Sequence, residues 1–333
     1  MSQSPAARPW LTPFVPVYRL GLALRDFELR TGLKPARRLR WPVVSIGNLS
    51  TGGAGKTPLA ITLARSLAAR GLRVDVLSRG YGRRSTCPLP VDPTGTAEEF
   101  GDEPLEIARE SGVPVYVAAD RFQAGLLAEA RCADSTSGLH LLDDGFQHRR
   151  LHRDIDILLL NRQDWNDRLL PAGNLREPLS TAHRATVIAL PSEDAALEAD
   201  LKSWGWLGPV WRLKRRMELP PLEGPLVAFC GIARSAQFFE GLQAAGVDPA
   251  SRIAFPDHHY YRAHDIDCIL EAARTTRASG FVTTQKDRLR LGNLAPSFPE
   301  STPLITAKLR IEIEDEDAAL AWLMGRLGPG LKP

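Results

Sequence analysis

The chain has 333 residues, 44% apolar and 24% charged, an ordinary balance for a soluble globular protein, and its length favours two domains over one. Its net charge of +3 conceals an asymmetry: residues 1–40 hold eight Lys and Arg against two acids, and the rest of the chain is net −3. Four widely spaced cysteines (Cys87, Cys132, Cys230, Cys268) argue against a zinc site or a disulfide framework, and no run of 18 apolar residues is present to span a bilayer.

The basic first forty residues point to an anionic surface partner. Residues 14–29, FVPVYRLGLALRDFEL, are interrupted by Arg19 and Arg25 and do not read as a secretory segment. On a helix, Val17, Leu20, Ala23, Leu24 and Phe27 share one side, with Leu22 and Leu29 elsewhere. Two readings follow: an interfacial helix on an anionic bilayer, or a helix packed on its own domain. Each basic group near an anionic leaflet contributes about 1 kcal/mol, so this excess supports reversible attachment of a peripheral protein.

The run WPVVSIGN (41–48) predicts a buried strand, KTPLAITLARSLAARG (56–71) a helix and LRVDVLS (72–78) the next strand. Strand, glycine loop, helix, strand is a βαβ unit, which favours a parallel sheet with helices on its faces. Further strands are predicted at 113–118, 139–145 and 154–161, with a helix at 120–132 capped by Asp120. From 206 to 225 the chain turns rich in proline, glycine and charge and reads as a linker carrying one or two strands. A second set follows: a strand at 226–233, a helix near 235–245, a strand at 251–255, a helix at 264–277, a strand with its exit loop at 280–287, and a closing helix at 315–328. The expected fold is α/β, a P-loop NTPase-like parallel sheet sandwiched by helices, with a second, smaller α/β domain. The expected division is 1–40, 41–205, 206–225 and 226–333.

Between the first strand and helix lies NLSTGGAGKTP (48–58). Gly55, Lys56 and Thr57 match the end of the G-x-x-x-x-G-K-[ST] phosphate loop, and Ser50 stands where that pattern opens on glycine. Phosphate binding needs inward N–H groups, a helix N-terminus and a nearby cation. The stretch Ser50, Thr51, Gly52, Gly53, Ala54, Gly55, Lys56, Thr57 supplies these, with the Thr57 hydroxyl placed to ligate Mg²⁺. LHLLDDG sets Asp143 and Asp144 at the carboxyl end of an apolar strand, where a Walker-B acid holds magnesium. For the acceptor's proton the candidates are Asp102 and Glu103 at the start of a predicted helix, and the histidines of FPDHHYY (255–261).

With these segments in order along the chain, the sequence resembles the tetraacyldisaccharide 4′-kinases. The resemblance rests on VSIGNLSTGGAGKTP (44–58), SRGYGR (78–83), GDEP (101–104), DRFQAG (120–125), DDGFQHRRL (143–151), LLPAGNLREP (169–178), FPDH (255–258) and TTQKD (283–287). In that family Ser or Thr commonly occupies position 50, and Glu usually stands where this chain has Gln285. The resemblance implies transfer of the γ-phosphoryl of ATP to the 4′-hydroxyl of an acylated disaccharide 1-phosphate, at the cytoplasmic face of the inner membrane. It implies Asp102 as base with His258 as partner from the second domain, the two assembled by closure about the linker. Arg121, His148, Arg176 and Glu177, with Glu103, would line the substrate cleft, and Lys286 and Asp287 would contact the base or ribose. Neither nucleic acid nor an obligate protein partner is implied.

Three other readings remain at this stage: a P-loop switch ATPase or GTPase acting on a protein, a soluble small-molecule kinase, and a non-catalytic membrane adaptor. The loop lacks the signature lysine of partitioning ATPases, since Thr51 occupies that place, and TQKD is a poor match to the guanine-reading N-K-x-D. An adaptor leaves the loop and the acid pair unexplained.

Overall fold

A computed structural model describes residues 8–32, 35–132, 137–222 and 224–328. Residues 1–7, 33 and 34 of the basic segment lie outside them. The first half contains α1 (Val15–Arg30), β1 (Val43–Asn48), α2 (Lys56–Ala69), β2 (Val74–Ser78), β3 (Leu89–Pro90), α3 (Ala97–Phe100) and α4 (Asp102–Ser111). It continues with β4 (Val115–Val117), α5 (Arg121–Ala130), β5 (Leu139–Asp143), β6 (Ile155–Leu159), α6 (Arg162–Asn166), β7 (Val187–Pro191) and α7 (Ala195–Ser203). Then follow β8 (Val210–Glu218), β9 (Leu226–Cys230), α8 (Ser235–Ala244), β10 (Ser251–Ala254), α9 (Ala263–Thr276), β11 (Gly280–Thr284), α10 (Gln285–Leu291), β12 (Leu304–Ile313) and α11 (Glu316–Leu327).

One 12-stranded sheet runs through the molecule in the order β10-β9-β11-β12-β8-β7-β6-β1-β5-β2-β4-β3. All its pairings are parallel except β8 with β12 and β3 with β4. Strands β1, β2, β4, β5 and β6 are buried at every residue, as strands covered by helices on both faces must be, which explains their predominantly apolar sequences. The chain leaves β1 for β2 on one side and later returns to β6 on the other, so β1 is the point where the winding reverses. In open α/β sheets ligands bind outside the carboxyl ends of strands at such a point.

Helix α2 buries Leu59, Leu63 and Leu67 with Ala60 and Ala64 against this sheet. Truncating one of these leucines to alanine is expected to cost about 2–5 kcal/mol. The same core takes Ile311 and Ile313 of β12 and Leu320 and Leu323 of α11, so the end of the chain, expected with the second set, packs back on the P-loop half.

Several elements go beyond the sequence reading. Strand β8 is one of the strands expected within the stretch read as a linker, but it is paired on both sides, to β7 and to β12; its alternation of apolar and basic residues exposes the row Arg212, Lys214 and Arg216. Strands β7 and β12 carry no prediction at all. Residues 285–287, expected within an exit loop, instead open α10, started by the Thr284 side chain accepting from the Asp287 N–H.

Helix α1 turns Val15, Tyr18 and Leu22 toward a core cluster under β6 and β7. Trp10, Phe14, Val17, Leu20, Leu24 and Phe27 face outward and are exposed. Among the described residues no helix is long and apolar enough to cross a membrane.

Candidate active site

The loop after β1 is held by residues on both flanks. Ser50 is buried, its hydroxyl accepts from Asn48 Nδ2 at 3.1 Å, and the Thr51 N–H donates to the Asn174 carbonyl at 2.8 Å. Gly52 and Gly55 take φ of +100° and +94°, and a Cβ on Gly55 would lie 2.7 Å from Ile311 Cδ1, so no L side chain replaces it without strain. Position 50 needs no such conformation, since Ser50 is not among the residues with positive φ. This is why serine can open the loop. Lys56 Nζ donates to Asn48 Oδ1 at 3.0 Å and lies 3.5 Å from Asp144. Thr57 is buried in the first turn of α2, and Arg215 of β8 donates to the Ala54 carbonyl at 2.8 Å.

The two acids after β5 have divided duties. Asp144, a non-glycine residue at φ +48°, is grasped by Arg176 through both terminal nitrogens at 3.0 and 2.9 Å. Burial works against its ionisation, but Lys56 and Arg176 outweigh it and hold the carboxyl well below the usual range. Asp143 is pushed up to about 7 by burial, with Glu103 and Asp144 adding repulsion. Its Oδ2 accepts from Ser78 at 3.3 Å while Oδ1 is buried without a partner. A divalent cation fits that orphaned oxygen together with the Thr57 hydroxyl. No group of three or more His, Cys, Asp or Glu forms a protein cage among the described residues. The fitting ion is therefore one that completes its shell with phosphate oxygens and water, as Mg²⁺ does.

Asp102 opens α4 behind Gly101, whose φ is +90° and whose Cβ would meet the Tyr81 carbonyl at 2.9 Å. The Asp102 side chain is 8% exposed and is paired with Arg290 of α10, itself 5% exposed. Burial raises its pKa, but Arg290, Lys286 and His258 overcome this and leave the carboxyl below its ordinary value. His258 sits at φ +58°, with Nδ1 3.8 Å from Asp102 Oδ2 and 3.2 Å from Arg290 Nη2. The two groups expected to need closure thus already meet, and they meet through an arginine.

Along α4 further carboxylates face the second half of the chain. Glu103 accepts from Lys286 at 2.6 Å, and Glu110 accepts from Gln285 at 2.9 Å and Lys308 at 2.8 Å. Glu106 between them is buried and pushed up to about 7 by burial despite Lys286, its Oε2 unpartnered. A glutamate at 285 would put a carboxylate against Glu110, so the amide is matched to its neighbour. Arg290 and Glu106 escaped the sequence reading; their signal was weak, one turn past Asp287 and one turn past Asp102.

The remaining candidates fall into two groups. Arg121 is buried with its Nε unpartnered, and His148, pushed down to about 4 by burial and by Arg121, also leaves Nε2 buried without a partner. Both face one cleft of about 1530 Å³, which Lys56, Asp143, Asp144, Arg176, Glu103, Lys286 and His258 line as well. Glu177 and Asp287 do not belong with them. Glu177, expected at the substrate, is 1% exposed and held between Arg25 and Arg184, where it anchors α1. Asp287, expected at the nucleotide, is fully buried: Oδ1 accepts from the Gly231 N–H at 3.0 Å and Oδ2 from the Thr284 hydroxyl at 2.6 Å.

A phosphate loop at the winding reversal, an acid pair beside it and His258 in the same cleft, backed by the buried Asp102, define a P-loop phosphotransferase of the α/β class. The model of the LpxK family, tetraacyldisaccharide-1-P 4′-kinase, matches residues 7–328, and the chain belongs to that family. It is 41% identical over 321 residues to the tetraacyldisaccharide 4′-kinase of Koribacter versatilis, covering 93% of this chain and 96% of that protein. The enzyme of the same name from Anaeromyxobacter dehalogenans is 40% identical over 313 residues, covering 86% and 82%. The crystal structure of LpxK from Aquifex aeolicus in complex with ATP superposes with a TM-score of 0.75 at 31% identity, covering 97% of this chain and all of that one.

Proposed function

We propose that this chain transfers the γ-phosphoryl of ATP to the 4′-hydroxyl of the acylated disaccharide 1-phosphate that precedes lipid A. The observation that carries this reading is one continuous cleft, lined both by Lys56, the Asp143–Asp144 pair and His258 and by Arg25, Glu28 and Leu29 of α1. Lys56 and the N–H groups of residues 52–57 would hold the phosphates. Thr57 and Asp143 would hold Mg²⁺, which supplies charge neutralisation of the triphosphate when bound. Asp144, gripped by Arg176 and Lys56, would keep both cations aimed at the loop. Asp102, held ionised, would accept the hydroxyl proton through Oδ1, which otherwise takes only the Glu103 N–H at 3.0 Å. The unpartnered nitrogens of Arg121 and His148 support their assignment to acceptor groups.

The acceptor is an amphiphile, and α1 supports a route to it. Its outward residues Val17, Leu20, Leu24 and Phe27, with Trp10 and Phe14 of the 3-10 turn before it, would lie in the headgroup region of an anionic leaflet with Arg25 lining the cleft. In this reading the protein is peripheral at the cytoplasmic face of the inner membrane. The test incubates purified protein with labelled ATP and detergent-dispersed acceptors. Label on the 4′-oxygen of the acylated disaccharide is expected, whereas ATP hydrolysis indifferent to every acceptor would favour a nucleotide switch. Replacing Val17, Leu20 and Leu24 by serine is expected to weaken sedimentation with anionic vesicles and to raise KM for vesicle-borne acceptor. Unchanged sedimentation would remove α1 from the account.

A further inference from the structure

We infer that Arg290 is a positioning residue for phosphoryl transfer: one guanidinium that fixes the Asp102 carboxylate and the His258 ring relative to each other across the two halves of the chain. The inference rests on Asp102 acting as the proton acceptor. Its geometry comes from four contacts. Nε donates to Asp102 Oδ2 at 2.9 Å and Nη2 donates to the same oxygen. Nη2 also faces His258 Nδ1 at 3.2 Å, and Nη1 donates to the Gly231 carbonyl at 2.7 Å. Arg290 is itself held from behind by Asp287, whose Oδ1 lies 3.5 Å from Nη1 and also takes the Gly231 N–H. All three guanidinium nitrogens are thus engaged.

Two chemical consequences follow. Both Arg290 bonds to Asp102 fall on Oδ2, so Oδ1 is the oxygen left to the acceptor's hydroxyl. And because arginine has no acceptor, Nδ1 is the acceptor in any hydrogen bond between Arg290 and His258, which puts the single proton of a neutral imidazole on Nε2. His258 then cannot donate from Nδ1 to Asp102, and the 3.8 Å between them is not a hydrogen bond. The strained φ of His258 is sustained by its N–H bond to the Gly231 carbonyl, the group that also accepts from Arg290. The charged groups around Asp102 are Arg290 and Lys286 from α10, His258 from the loop after β10, and Glu103 and Glu106 from α4 itself. Arg290 heads the cations opposing the burial of Asp102. Lysine is a point charge and cannot make the forked contact.

The test uses full-length Arg290→Met and Arg290→Lys with Mg-ATP and detergent-dispersed acceptor, together with ¹⁵N-histidine NMR in which His258→Gln assigns the His258 signals. Arg290→Met is expected to lower kcat roughly 10²-fold, within the range of a misplaced proton acceptor, with KM for ATP unchanged. Its acid limb of kcat/KM should move to higher pH, and the Nδ1 resonance of His258 should lose its acceptor character. Arg290→Lys should keep the acid limb near that of the parent while kcat still falls and the Nδ1 resonance still moves. An acid limb and an Nδ1 resonance unchanged in both variants would overturn the inference, as would a loss confined to KM for ATP. Should Arg290→Met fail to fold, the resonance and limb of Arg290→Lys decide. Wild-type turnover in Asp102→Asn would instead sink the proton-acceptor reading, and the His258 resonance, which needs no turnover, would still report on Arg290.

Discussion

The phosphate loop and the α4–α10 seam hold their charges by different means. In the loop, Lys56, Asn48 and Ser50 lie within eight residues of one another, and backbone curvature at Gly52 and Gly55 sets their positions. In the seam, Asp102 and Arg290 are 188 residues apart and are placed by the packing of two helices carried on opposite sides of the β8–β12 junction. Local geometry therefore builds the phosphate loop, and long-range ion pairing builds the seam to which the proposed function assigns the proton acceptor. Errors in the first should abolish phosphate binding; errors in the second should spare it.

The largest expected effect tests the first half of that contrast. Lys56→Met should reduce kcat/KM by roughly 10³-fold or more, as loss of a preorganised charge-stabilising donor does, with thermal unfolding close to that of the parent. Retained activity would mean the loop is not the phosphate cradle. Asp102→Asn should lower kcat by roughly 10²–10⁴-fold and leave ATP affinity by calorimetry nearly unchanged. A collapse of ATP binding would show that the seam and the loop are not separable.

Smaller effects concern stability away from both sites. Asp75 on β2 is fully buried, neither of its oxygens has a hydrogen-bond partner, His140 Nδ1 lies 4.0 Å from Oδ2, and burial pushes its carboxyl above the ordinary range, only partly offset by His140 and Arg73. A carboxyl raised in the folded state binds its proton more tightly there than in the unfolded chain. Its stabilising contribution is thus complete below the ordinary carboxyl range and is lost as pH rises through the raised value. Asp75→Asn should remove that dependence, so the variant's Tm should gain on the parent's as pH is raised from 4 to 8; a constant Tm difference across that range would refute it. The smallest effect is at Gln285. Changing it to glutamate sets a like charge against Glu110, and a loss of about 1 kcal/mol or less is expected in denaturant titration, shrinking with added salt. A gain in stability would show that Lys308 and Arg310 hold more charge than Glu110 needs.

The sequence by itself determined the βαβ unit, the phosphate loop, the acid pair and Asp102, because each is written in adjacent residues: an apolar run, a glycine turn, a helix start. It also determined that α1 would carry Val17, Leu20, Leu24 and Phe27 on one side, since helical periodicity is local. Tertiary structure decided the rest. Which side of α1 faces outward followed from Tyr18 and Leu22 docking on the sheet. Glu177 and Asp287 proved to be braces once Arg25, Arg184 and the Gly231 loop closed around them. Strands β8 and β12 take their places in the sheet because they pair with each other. Arg290 reaches Asp102 only after the whole sheet has formed, since pairing between distant charges is set by where the backbone carries them and leaves no periodic trace in the chain.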